Sequence, residues 1–415
     1  MTKIGEGKYG CVYSPPLLCK KNKDQSFYKN KISKATTTFN SVIELEEQAI
    51  VDNIVDPKFK YHLPTPKLCV PDLTLRSNVD ALDECDAIKN DNNEILPANK
   101  ISLMMIEKGG LDLKRFVKYF ISTSHIGRHP KGISLPNSNS STYKTYVSNF
   151  KSKMKYQNIK KSAVIVEFWK KSAILIEALS DFLKHKTLHH DLKPENIVYD
   201  HIKKRFNIID FGISRRFINY HPNRAHFSYP PETYVLNNEI YDVVSKLSDE
   251  EFTNILGVNP YDENAPFMYS YEYFMGYVSP EKMEYSPYYN PDFGFKNQDE
   301  ILRFFKKNFY KGRTIEEIYQ KALMTHDMYG MGLALMYVFI RSYHYLPDND
   351  FIKKLYEVLF SMIHPDCFQR PTVDELKIKY TAVLNLLSSK HLVRKTRKLV
   401  SKTGRIHRFS KGIRR

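Results

Sequence analysis

The chain has 415 residues, 42% of them hydrophobic, enough to bury a substantial core, and 63 Lys and Arg against 46 Asp and Glu set its formal net charge at +17. No apolar run reaches membrane-spanning length, the longest being Met331 to Ile340, which excludes a transmembrane protein as the expected class. Five cysteines (Cys11, Cys19, Cys69, Cys85, Cys367) are an odd number without metal-ligand spacing, so the expectation is reduced thiols in an intracellular compartment. The N-terminus shows no apolar signal region.

In chain order, the first pattern is Ile4-Gly5-Glu6-Gly7-Lys8-Tyr9-Gly10-Cys11-Val12, whose glycines allow a hairpin backbone to approach phosphates closely. Taken alone, a plain β-turn explains it as well. Ser14-Pro15-Pro16-Leu17-Leu18-Cys19-Lys20 follows, and two prolines argue against an ordinary strand ladder there. The next strand-like run is Phe27 to Ser33. From Ser41 to Ile54, Val42, Leu45, Ala49, Ile50 and Ile54 recur near helical spacing, with Glu44, Glu46 and Glu47 among them. Ile101 to Ile106 reads as a buried strand running into Glu107-Lys108-Gly109-Gly110. Leu113 to Val166 lacks acids, and Ser134 to Ser141 inside it has loop composition, so an insertion is expected over about 122–160. Helical pattern resumes with Ile165, Trp169, Ile176, Leu179 and Leu183.

The most informative stretch is His189-His190-Asp191-Leu192-Lys193-Pro194-Glu195-Asn196, followed fourteen residues after Asn196 by Asp210-Phe211-Gly212. Asp191 can accept or orient the proton of an attacking hydroxyl, and Lys193 can reach a moving phosphoryl group as a point charge. Asn196 and Asp210 offer hard oxygen ligands of the kind magnesium prefers while it bridges nucleotide phosphates. Ile197 to Tyr199 and Phe206 to Ile208 read as two short strands joined by a polar turn, which brings Asn196 and Asp210 to the same end. Phosphoryl transfer asks a protein mainly to position reactants and neutralise charge, so these few parts suffice. A second Asp-Phe-Gly, Asp292-Phe293-Gly294, follows a turn-like run with no strand before it and is read as coincidence.

This stretch resembles the catalytic core of the eukaryotic protein kinases, with Lys193 in the position that serine/threonine kinases use. The resemblance implies an α+β, two-lobed protein kinase fold, with a small mostly β lobe over 1–106 and a larger mostly α lobe over 107–389, using ATP and Mg²⁺ on a protein substrate. It implies Asp191 and Lys193 as catalytic residues and Asn196 and Asp210 as metal ligands. Ile4, Gly5, Gly7, Gly10 and Val12 would cover the nucleotide. For the strand lysine that holds the phosphates it points to Lys31, in a run similar to the Tyr-Val-Ser-Lys-Ile type of kinases from large DNA viruses, with Lys29 and Lys20 as alternatives. For its helix partner it points to Glu47, with Glu46 second. Met104 would be the gatekeeper, the backbones of Met105 and Glu107 would meet adenine, and Asp112 could meet the ribose. His190 stands where many kinases have the Arg that pairs with a phosphorylated activation loop.

Tyr229-Pro230-Pro231-Glu232 resembles the kinase Ala-Pro-Glu, and Arg370-Pro371-Thr372 looks like its arginine partner, which implies a structural Glu232–Arg370 ion pair. Asp327 to Gly332 resembles the start of the central helix of the large lobe. The gap between Glu232 and Asp327 is long and aromatic, with fifteen acids against nine bases over Thr233 to His326, so a folded insertion over 233–326 is expected. From Lys390 to Arg415 there are eleven Lys or Arg and no acid. That tail fits a solvated segment, an amphipathic helix on an anionic surface, or contact with nucleic acid. The proline-rich run after Tyr13, the Tyr-Pro-Pro-Glu form and the long insertion resemble kinases of large DNA viruses such as mimivirus relatives. That likeness implies an infected cell's cytoplasm or the virion as location. A kinase-shaped scaffold without catalysis is the rival expectation.

Overall fold

The computed structural model describes residues 1–121 apart from 8 and 23, 161–220, 229–236 apart from 235, and 313–388 apart from 347, 348 and 365. The expected insertion at 122–160, most of the one at 233–326, the second Asp-Phe-Gly and the basic tail lie outside the described residues. The fold is mixed α+β.

Its N-terminal part is an antiparallel sheet of five strands: β1 (Thr2–Gly7), β2 (Gly10–Ser14), β3 (Lys31–Thr37), β4 (Lys67–Cys69) and β5 (Ile101–Glu107). The spatial order is β1-β2-β3-β5-β4. Strand β3 begins later than the Phe27 to Ser33 pattern suggests. Asp24 caps a 3₁₀ turn over Gln25–Tyr28 by accepting the Ser26 amide, and Asn30 then takes a positive φ of 58° before the strand starts at Lys31. Gly10 is required by packing, because a Cβ there would stand 2.4 Å from the Ala35 carbonyl oxygen of β3.

Helix α1 (Thr38–Ile50) follows β3 directly, with the Thr37 hydroxyl accepting the Asn40 amide as N-cap. It passes into a π-helical turn, Val51–Val55. Between β4 and β5 lies α2 (Arg76–Leu82). The cysteines correct the sequence reading. Cys11 in β2 bonds Cys85 after α2, and Cys19 bonds Cys69 in β4, while Cys367 is free and buried. The partners are 74 and 50 residues apart, and folding of the sheet brings them together, so local spacing carried no sign of the pairing. The pairing by itself assigns no compartment.

After β6 (Leu111–Asp112) and α3 (Leu113–Phe120), the rest is mainly helical. The stripe from Ile165 to Leu183 forms two helices, α4 (Lys161–Lys171) and α5 (Ala173–Lys184), broken at Ser172. Short strands β7 (Thr187–Leu188), β8 (Ile197–Asp200), β9 (Arg205–Ile208) and β10 (Arg215–Arg216) come next. β8 and β9 form the expected hairpin, with β6 on its other edge. Helix α6 (Ile315–Ser342) starts at a Thr314–Glu317 capping box, so the end of the expected insertion, from Ile315 onward, belongs to this helix. Helices α7 (Asn349–Met362) and α8 (Val373–Ser388) complete it. Trp169, Phe116, Phe168, Tyr199, Leu335 and Phe339 lie in one continuous core of the helical part, and a second core fills the sheet around Tyr13, Leu17 and Leu103. No helix among the described residues is long and apolar enough to cross a membrane.

Candidate functional site

The loop between β7 and β8 is shaped from beneath by α6. The amides of His189 and His190 donate to the two oxygens of the Asp327 carboxylate at 2.6 and 2.9 Å. This holds His190 at a positive φ of 68°, a conformation that costs a non-glycine residue energy and needs support. Gly330, one turn along α6, lets the helix reach the loop, since a Cβ there would stand 2.4 Å from the Leu192 carbonyl oxygen. Burial pushes Asp327 up to about 7, against the two amides that favour its charge.

On this support Asp191, Lys193 and Asn196 converge. The Asp191 Oδ2 accepts the Lys193 ammonium at 2.7 Å and the Asn196 side-chain amide at 2.8 Å, and that amide also donates to the Asp191 carbonyl at 2.9 Å. Asn196 is thereby oriented with its nitrogen committed to Asp191, which leaves its carbonyl oxygen as the atom a cation would use. Burial raises Asp191 to about 6, and Lys193 opposes that rise.

The β8–β9 hairpin brings the second half. The Ile209 amide donates to the Asn196 carbonyl at 3.0 Å, so the residue before Asp210 is tied to Asn196. Asp210 itself has a positive φ of 67° and a side chain that is 45% exposed. Its Oδ1 lies 3.4 Å from the Lys34 Nζ, and the same ammonium meets Glu44 Oε2 at 2.6 Å. Lys34 holds Asp210 below the usual carboxylate range. Burial alone would lower Lys34, but Asp210 and Glu44 outweigh it and raise it well above an ordinary lysine.

These contacts correct two expectations. The lysine that β3 brings to Asp210 is Lys34, and the helix acid that meets it is Glu44. Side chains alternate across a strand, so Lys31, three residues earlier, projects from the opposite face. It sits at the strand end opposite Glu107, with its ammonium 4.3 Å over the Phe27 ring. Glu47, almost one turn beyond Glu44, is half-exposed and faces Arg215; burial raises it and Arg215 lowers it. Glu46 is exposed. The signal that locates Lys34 is the β-branched run Thr36-Thr37-Thr38 with a Thr37 cap, which marks where strand gives way to helix.

The remaining residues fall along the sheet. Ile4, Gly5 and Gly7 lie in β1, and Gly10 and Val12 in β2, with Gly5 opposite Val12 and Gly7 opposite Gly10. A Cβ at Gly7 would meet nothing within 4 Å. Met104 and Met105 are buried in β5, Met105 opposite Ser33 and Glu107 opposite Lys31. Asp112 caps α3, accepting the Arg115 amide at 2.8 Å and pairing with its guanidinium at 3.1 Å. Cys11 is disulfide-bonded and fully buried. No cluster of three or more His, Cys, Asp or Glu able to hold a metal occurs among the described residues. Asp210 and Asn196 together offer one carboxylate and one carbonyl oxygen, a donor set that suits a magnesium ion retaining water and phosphate oxygens.

No protein-family model matches the chain, and no curated protein is similar to it.

Proposed function

We propose that the chain is a serine/threonine protein kinase with a two-lobed kinase fold, transferring the γ-phosphate of Mg-ATP to protein hydroxyls. The observation that carries this reading is the Lys34 ammonium set between Glu44 and Asp210, 2.6 and 3.4 Å away, opposite the interlocked Asp191, Lys193 and Asn196. A positive charge fixed by a helix carboxylate beside an exposed acid is what nucleotide phosphates with magnesium need. In this reading Asp210 and Asn196 hold magnesium, which neutralises phosphate charge when bound. Lys34 meets the phosphates, Asp191 takes the hydroxyl proton, and Lys193 balances charge on the transferred group. The β1–β2 hairpin covers the nucleotide, and the edge of β5 at Met105 to Glu107 borders adenine. A kinase-shaped scaffold without catalysis is the rival reading, and the Lys34 ammonium beside both Glu44 and Asp210 argues against it.

The test is phosphate transfer from labelled Mg-ATP to casein, to a basic protein and to the chain itself, comparing wild type with Asp191→Asn. Phosphoserine or phosphothreonine that disappears in the variant supports the kinase. ATP binding without transfer in the wild type turns the reading toward a scaffold.

A further inference from the structure

A second group of buried charges lies at the end of α1. Where the helix passes into the π-helical turn Val51–Val55, Asp52 and Asp56 face the ring of His62, which is fully buried. The His62 Nε2 is 2.7 Å from Asp52 Oδ1 and the Nδ1 is 3.0 Å from Asp56 Oδ2. An ionised carboxylate only accepts hydrogen bonds, so two such contacts require a proton on each ring nitrogen. Both acids have further donors: the Thr65 hydroxyl on Asp52 and the Tyr61 amide, at 3.0 Å, on Asp56. Gln48 borders Asp52, and its amide donates to the Leu63 carbonyl at 2.9 Å. Arg205 of β9 faces the backbone here, donating to the carbonyls of Phe59 and His62 at 2.6 and 2.8 Å. Lys60 pairs with Asp181 beyond Tyr61, which itself touches Asp181.

His62 also touches the candidate site. Its ring meets Phe211 edge-on, centroids 5.9 Å apart, and its backbone bridges Ile208, two residues before Asp210. The Tyr61 carbonyl accepts the Ile208 amide at 2.6 Å. One residue thus joins the end of the helix that carries Glu44 to the segment that carries Asp210. We propose that His62 is a charged positioning residue: as an imidazolium clamped by Asp52 and Asp56, it fixes α1 against Phe211, and phosphoryl transfer depends on its proton. The dependence on transfer rests on the kinase reading above. Burial works against the charge, and the bonds to Asp52 and Asp56 outweigh it, raising His62 above an ordinary histidine. The proton is therefore lost on the alkaline side.

The experiment has two readouts on the full chain. Ring resonances of isotope-labelled histidines, with His62 assigned by its loss in His62→Gln, report its charge without any activity. Transfer from labelled Mg-ATP, followed as kcat and KM against pH in wild type and in Asp52→Asn, reports the coupling. Expected are a charged His62 at neutral pH and an alkaline fall in wild-type kcat that moves about one pH unit or more toward acid in Asp52→Asn, as loss of one neighbouring charge requires. A neutral His62 at pH 7 overturns the proposal, and so does an unmoved alkaline limb in an active Asp52→Asn. Were wild type to bind Mg-ATP without transfer, the pH dependence of that affinity takes the place of kcat, and a flat profile overturns the coupling. Neither transfer nor nucleotide binding would remove the kinase reading and the coupling together, with the ring resonances still deciding the charge.

Discussion

Lys34 and Glu44 meet at 2.6 Å across ten residues of sequence, with side chains only 12% and 11% exposed, and Asp210 closes the group from 176 residues away. The strand lysine and the helix acid are therefore one unit and should fail together. Lys34→Met is expected to lower kcat/KM for Mg-ATP by about 10²–10³-fold, the usual cost of losing one preorganised charge at a reacting centre. Lys31→Met should stay near wild type. Steady-state kinetics on both variants checks this, and a large defect confined to Lys31→Met would reverse the assignment.

In the proposed reading Asp191 must be ionised to take a proton, and burial lifts it to about 6. Transfer should therefore fall as pH drops through about 6. Between about 4 and 6 the folded chain holds a proton here that the unfolded chain has lost, so this group favours folding on the acid side of that window. The acid limb should accordingly appear in kcat without loss of folded protein, read by circular dichroism at the same pH values. Asp191→Asn should lower kcat by about 10²–10⁴-fold, the range of a positioned acid–base group, and leave Mg-ATP affinity largely intact.

The parts legible in the sequence are those whose signal is local. Asp191, Lys193 and Asn196 lie within six residues, and the β8–β9 hairpin announces itself by two short apolar strands around a polar turn. Lys34 is legible only from the strand's far end, at Thr36-Thr37-Thr38, because Asp24 and Asn30 delay the start of β3 and a register change of three residues moves a side chain to the other sheet face. Glu44 is one of three acids on a helix that begins earlier than the Ser41 to Ile54 pattern suggests, because Thr37 caps it. Nothing local in the sequence marks His62, since its two carboxylate partners meet it only after α1 ends in a π-helical turn.

Arg370 and Glu232 form a fork-to-fork pair with both side chains at zero exposure. Arg370 donates as well to the His364 carbonyl at 2.8 Å and to the Thr325 hydroxyl at 3.1 Å, and stacks over Tyr329. Removing one partner strands a buried charge, so Arg370→Met should cost about 3–5 kcal/mol of stability. Adding Glu232→Met to it should recover much of that loss, since the double change buries no unpaired charge. Urea unfolding of both variants tests the coupling. Equal stabilities for the single and double variants would argue that the pair is replaced by solvent.

The two disulfides close loops that run through the whole sheet: Cys11–Cys85 ties β2 to the segment after α2, and Cys19–Cys69 ties the proline-rich run to β4. Cross-links at separations of 74 and 50 residues restrict the unfolded chain, and each should contribute about 2–4 kcal/mol. The helical part has no share in them, because the remaining cysteine, Cys367, is free and buried. Reductant should therefore lower the melting temperature of the sheet first, before the core around Trp169 and Phe339 opens. Hydrogen exchange with and without reductant separates the two: faster exchange of β2, β4 and β5 amides with α6 unchanged is the expected pattern. Because β1 and β2 form the proposed nucleotide cover, Mg-ATP affinity should weaken under the same conditions, and Cys11→Ser with Cys85→Ser should reproduce that loss in the absence of reductant.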